Sequence, residues 1–184
     1  MRHSIAARAA CRPHTWAACL LALVLLFVTG TPLRLESQVS FGVGASLQKV
    51  SHRAWGYRFI GSAVDVAVRT SPSTNFTFGV QALGHDEGTE VDPLHLRTAE
   101  IGMQWVAGRG ELLHLAIGFH AGAYLLSEYD ATYGGPILSL TARLSLHPVR
   151  GVGLFVSPLG RAFGGERGGS TYGVSFGVLL GTNH

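Results

Sequence analysis

Eight short segments, each apolar on one face and small or polar on the other, recur from Val39 almost to the C-terminus. A strand points successive side chains to opposite faces with period two, so this pattern specifies two-faced strands and not helices. Val39–Gln48 alternates strictly, with Val39, Phe41, Val43, Ala45 and Leu47 against Ser40, Gly42, Gly44, Ser46 and Gln48. Tyr57–Thr70, Asn75–Gly84, Leu94–Ala107, Leu112–Leu126, Pro136–Leu146 and Thr171–Leu180 repeat the arrangement. Val152–Ala162 is the weakest: Phe155 falls on the polar face, and Pro158 cannot donate to a ladder. A bulge or an early departure from the sheet is therefore expected near Pro158.

The connections carry separate information. Thr70–Asn75, Ala107–Leu112 and Leu146–Val152 are short and hold Pro or Gly, which marks tight turns. Gln48–Tyr57, Gly84–Leu94, Leu126–Pro136 and Ala162–Thr171 are longer, polar and glycine-rich. An even strand count with short turns on one rim and long loops on the other matches a transmembrane barrel. The layout of residues 38–184 resembles the small eight-stranded bacterial outer-membrane barrels of the OmpA-transmembrane-domain and OmpX kind. The resemblance implies an all-β, antiparallel up-and-down barrel with both ends in the periplasm, acting as a monomer. It further implies periplasmic chaperones and the barrel assembly machinery as partners during biogenesis. One departure is the C-terminus: such chains usually finish on an aromatic, whereas this one runs past Phe176 and Leu180 to Gly181–His184.

Residues 1–37 read as a signal peptide and short leader. Met1–Trp16 carries Arg2, Arg8 and Arg12 with no acid, and Ala17–Val28 is an unbroken apolar run of twelve. That run is short for a membrane helix, which needs about 20 residues. Cleavage fits after Gly30 or just before Gln38. Setting the leader aside removes Arg2, Arg8, Arg12 and Arg34 from 14 basic residues, and Glu36 from 11 acids. Ten of each remain, so the mature chain is neutral and nothing basic points to nucleic acid. Both cysteines, Cys11 and Cys19, also leave with it, which excludes disulfide and thiol chemistry in the mature chain.

The same alternation would serve a soluble lipocalin-like ligand-binding barrel with its faces exchanged. A water-facing exterior wants Lys and Glu, yet Lys49 is the only lysine and the polar face is mostly Gly, Ser and Thr. Eight strands also leave an interior just wide enough for side chains to fill. The apolar face is therefore expected to meet lipid. Trp105 would stand at one interface, and Trp55, Tyr57 and Tyr172 at the other.

Inward charges are then Asp65, Arg69, Glu100 and Arg143, with His114, His120, Gln81, Gln104 and Tyr124. A buried charge needs a partner, so Asp65, Arg69, Glu100, His120 and Arg143 are expected to form a polar network plugging the lumen. His114 and His120 are six residues apart, about 20 Å along a strand, too far to share a metal ion. Lys49, Arg53, Arg58 and Arg97 fall near the outer rim, where cations meet lipopolysaccharide phosphates or snorkel at the interface. The acids Asp86, Glu87, Glu90 and Asp92 suit a solvated loop; no metal or cofactor is expected. A catalytic alternative borrows from lipid-A-modifying barrels, which use His, Ser and an acid near the rim. Ser127, Glu128 and His52, or His85 with Asp86, are the residues available to it. The expected function is a structural, adhesive or surface-interaction role through the outer loops, without enzymatic activity.

Overall fold

The computed structural model describes residues 39–52, 55–85, 94–109, 112–128, 131–166 and 168–181. Eight strands follow in chain order: β1 Val39–His52, β2 Trp55–Ser71, β3 Thr74–His85 and β4 His95–Arg109, then β5 Leu113–Glu128, β6 Ala131–Val149, β7 Val152–Phe163 and β8 Gly169–Gly181. Each pairs antiparallel with its neighbours in sequence, and β1 pairs with β8 to close the barrel. Closure leaves no unpaired edge.

The three short connections lie where expected, between β2 and β3, β4 and β5, and β6 and β7, with residues 110 and 111 of the second outside the described residues. Gly151, at φ 77° in the last of them, adopts a conformation that suits glycine. The opposite end differs from the sequence reading. The stretches 48–57 and 126–136 are mostly strand, with His52 opposite Trp55 and Glu128 opposite Ala131. Both faces of these extensions lie beyond the apolar belt, so no alternation marks them as strand. The leader and the acidic stretch Asp86–Asp92 lie outside the described residues.

Pro158 does not end β7. The strand runs on to Phe163, and the register to β6 is the same on both sides, from Leu140↔Gly160 to Leu144↔Val156. Pairing lapses at His147 and Pro148 near the turn and, beside Pro158, at Ala142 and Arg143; Pro158 itself points outward. A missing N–H costs one rung there, not the strand.

The facing is decided by exposure. Phe41, Val43, Leu47, Ile101, Ile117, Phe119, Leu138, Leu140, Leu154 and Phe176 all stand exposed on the outer wall. Ser46, Gln48, Thr98, Glu100, Gln104, Ser139 and Ser175 are buried inside. On β6 the outward apolar stretch runs from Pro136 to Leu146, matching the roughly 9–11 residues a tilted strand needs to cross hydrocarbon. This arrangement excludes the soluble alternative, whose outside would be polar. Trp105 is exposed beside the β2–β3 turn, opposite Thr74, and Tyr172 is exposed toward the other end. Tyr57 corrects the sequence reading: it faces the lumen, not the outer girdle.

The β1–β8 seam closes on two inward glycines, Gly44 opposite Gly177. A Cβ on Gly44 would run into the carbonyl oxygen of Phe176, and one on Gly177 into that of Val43. Gly44→Val should lower stability by about 1–3 kcal/mol through overpacking. Urea titration in lipid vesicles checks this, and an unchanged midpoint contradicts the close approach.

Candidate functional site: a layered lumen

The lumen is filled in layers. At its centre lies Arg161 of β7, with its side chain 4% exposed and bonded on every side. Its Nη2 donates to Glu100 Oε1 at 2.5 Å, and its Nη1 to Gln48 Oε1 and Gln81 Oε1, both at 2.8 Å. Nε donates to Ser139 Oγ at 3.3 Å. Glu100 also accepts from Thr98 Oγ1 at 3.2 Å and from Ser139 Oγ. Gln48 donates to Gln81 Oε1 and Ser46 Oγ, and Ser175 Oγ donates to Ser46 Oγ. Six of the eight strands therefore meet in one hydrogen-bonded cluster.

A second pair crosses the bore from β2 to β6. Arg143 is bidentate to Asp65, at 2.8 and 3.0 Å. Its guanidinium carbon also lies 4.6 Å from the centre of the Phe155 ring, within cation–π range. Phe155, the residue that fell on the wrong face of an expected strand, is this inward platform. His120 is buried beside the cluster, one inward step along β5 from Gly122, which faces Glu100.

Between the two pairs lies a cavity of about 60 Å³, lined by Asp65, Thr77, Gln104, His120, Thr141 and Arg143 among others. Thr77 Oγ1, Thr141 Oγ1 and Arg143 Nε are buried there without a protein partner among the described residues. Its polarity and size suit ordered water.

Of the five residues expected in the network, Asp65 and Arg143 pair with each other, and Glu100 and His120 belong to the same polar layer. Arg69 is placed elsewhere, near the β2–β3 turn, with Nε donating to the Ser71 carbonyl oxygen at 3.3 Å. The partner of Glu100 is Arg161, a residue the expected network lacked because a break was expected at Pro158. The signal was present in parity: positions 155, 157, 159 and 161 share one face once the strand continues.

His114 lies against His147 near the turn end, ring centres 4.4 Å apart, and not near His120. Lys49 and Arg58 are exposed on the outer wall and directly opposite each other on β1 and β2. Arg97 is exposed on β4, opposite Ala82 and Leu125. Each of the three sits one outward step beyond the apolar stripe of its strand, above Leu47, Ile60 and Ala99. Arg53 lies outside the described residues, as does the side chain of His52. Ser127 and Glu128 are adjacent in a pleated strand and point to opposite faces, so they do not converge.

The layer beyond the ionic cluster, toward the loop end, is apolar. Phe59, Leu83, Leu94, Leu96, Tyr124 and Ile137 are buried against one another inside the bore. The sequence reading took the inward face as mostly small and polar and did not anticipate this apolar layer.

No protein-family model matches the chain, and no curated protein does. Solved structures do resemble it. Neisserial surface protein A superposes with a TM-score of 0.68 at 11% identity, over 77% of this chain and 96% of that one. The N-terminal β-barrel domain of Pseudomonas aeruginosa OprF gives 0.52 at 12% identity, over 79% and 99%. Ail, the attachment invasion locus protein of Yersinia pestis, was solved with the heparin analogue sucrose octasulfate. It gives 0.50 at 12% identity, over 79% and 100%. The chain therefore has the fold of the small eight-stranded outer-membrane β-barrels.

Proposed function

We propose that this chain is an integral outer-membrane protein, exported by its N-terminal segment, that works at the cell surface through the loop end of the barrel. The reading rests on one observation: the wall is closed and greasy outside, while the bore is blocked by Arg161, Glu100 and their partners. A blocked bore has no use as a general pore, which leaves the loop end as the part that meets other molecules. The loop end then faces outward and the tight turns face the periplasm.

Planar-bilayer recording tests the blocked bore. Purified barrel should add no steady conductance at 100 mV, and porin-like open steps would overturn the reading. Exchange of the four outer connections for those of an unrelated barrel should abolish adhesion to host-cell matrix while leaving membrane insertion intact. Unchanged adhesion would remove the loops from the function.

The collar of Lys49, Arg58 and Arg97 supports lipopolysaccharide as a standing partner. Like charges placed directly opposite repel, and an anion between Lys49 and Arg58 relieves that cost. A polyanion on Ail is consistent with such a barrel meeting sulfate or phosphate groups. Lys49→Gln with Arg58→Gln should weaken binding of purified lipid A, measured in vesicles, by about tenfold. Equal binding by the variant assigns these side chains to simple snorkelling.

A further inference from the structure

The apolar layer continues outward into a hollow. A cavity of about 60 Å³ opens at the loop end, lined by Val50, Tyr57, Leu94, Leu126, Phe163 and Gly169 among others. Glu128 is the one charged residue of that lining among the described residues. The floor is the buried apolar layer of Phe59, Leu96 and Tyr124, beneath which the Arg161 nitrogens are already bonded to Glu100, Gln48, Gln81 and Ser139. The hollow is therefore blind, and its floor directs little unspent polarity into it.

From this geometry we infer that the mouth of the barrel is a binding site for the single alkyl chain of a water-soluble amphiphile. Water in an apolar hollow lacks hydrogen-bonding partners, whereas a hydrocarbon group gains by leaving solvent. The bore of eight strands is about as wide as the side chains it holds, so only a linear chain enters, end on. Room for it comes from Gly169, which faces Phe163 across the β7–β8 pair without a side chain of its own.

The walls are preformed. Tyr124 donates to the Gly164 carbonyl oxygen at 2.9 Å and meets the Phe163 ring edge-on at 4.9 Å. Tyr57 meets His85 edge-on at 5.1 Å. The chain comes from the aqueous side and not from the bilayer, because the wall is paired through this level. At the base of the hollow all eight strand pairs are closed, through Val50↔Tyr57, Phe59↔His85, Gly84↔His95, Leu96↔Leu126, Ala123↔Pro136, Ile137↔Phe163, Phe163↔Gly169 and Val50↔Thr171. This site goes beyond the surface role proposed above and requires only the fold and its orientation.

The test uses methyl-labelled full-length mature barrel in nanodiscs, titrated with octanoate and followed by NMR. Methyl signals of Val50, Leu94 and Leu126 should shift saturably, while those of Leu140 on the outer wall stay still. Across butyrate, hexanoate and octanoate, each added methylene should tighten binding about fourfold. Gly169→Leu, filling the hollow, should weaken octanoate binding at least tenfold with the Leu140 signals unmoved. Val50→Phe fills it from the neighbouring strand β1 and carries the test should Gly169→Leu not fold. Shifts that do not saturate, that acetate reproduces, or that survive both filled variants would overturn the site. Broadening of the mouth methyls by a phospholipid spin-labelled at its chain end would overturn the aqueous route.

Discussion

Glu100→Ala should unfold at markedly lower urea than the parent barrel, corresponding to a loss of about 3–5 kcal/mol. The size follows from what the truncation leaves behind. Arg161 is a permanently charged group with its side chain 4% exposed, and Glu100 is its carboxylate partner at 2.5 Å. Removing that partner strands a cation in the bore, and the two glutamines it also touches offer only dipoles. The missing carboxylate also deprives Thr98 and Ser139 of their shared acceptor.

Loss of side-chain volume is the smaller effect here, and a second variant separates the two. Glu100→Leu combined with Arg161→Met removes both charges while keeping the bore filled, and should recover most of the loss. A buried pair replaced by well-packed apolar groups is often neutral or better. The coupling between the single and double changes then measures the pair itself. A loss below about 1 kcal/mol for Glu100→Ala, or strict additivity in the cycle, would mean that water screens the cluster and that the bore is not sealed.

Leu140→Arg probes the opposite face of the same strand. Leu140 is 63% exposed, sits midway along β6, and lies beside Gly160, which offers no side chain to shelter it. In water such exposure would be a liability; in hydrocarbon it is the favourable state. An arginine there should cost about 2–4 kcal/mol near the bilayer midplane and less toward either rim. Thr132→Arg, on the extension of β6 beyond the apolar stretch, should cost within about 0.5 kcal/mol, as surface changes usually do. Band shift on unboiled gels and urea midpoints in vesicles read both. Equal, small effects at the two positions would place the outer wall in water.

These two experiments address different physical questions. Glu100 tests whether the inside is dry enough for a charge to need its partner. Leu140 tests whether the outside is wetted by hydrocarbon. The surface role depends on both answers, since a leaky bore would suggest transport and a water-wetted wall would remove the membrane altogether.

Alternation along one strand depends on side-chain direction, which is local, so the number, order and facing of the strands were legible from residues such as Phe41, Val43, Ile101 and Leu140. The tight turns were legible for the same reason, since Pro72, Gly110 and Gly151 act within a few residues. The partner of Glu100 was not. It depends on the register of β4 against strands three places away, and on β7 holding its pairing past Pro158, where local chemistry argued for a break. The apolar mouth was hidden differently. Phe59, Leu83, Leu96 and Ile137 lie on four separate strands, and only closure of the sheet into a cylinder gathers them into one layer.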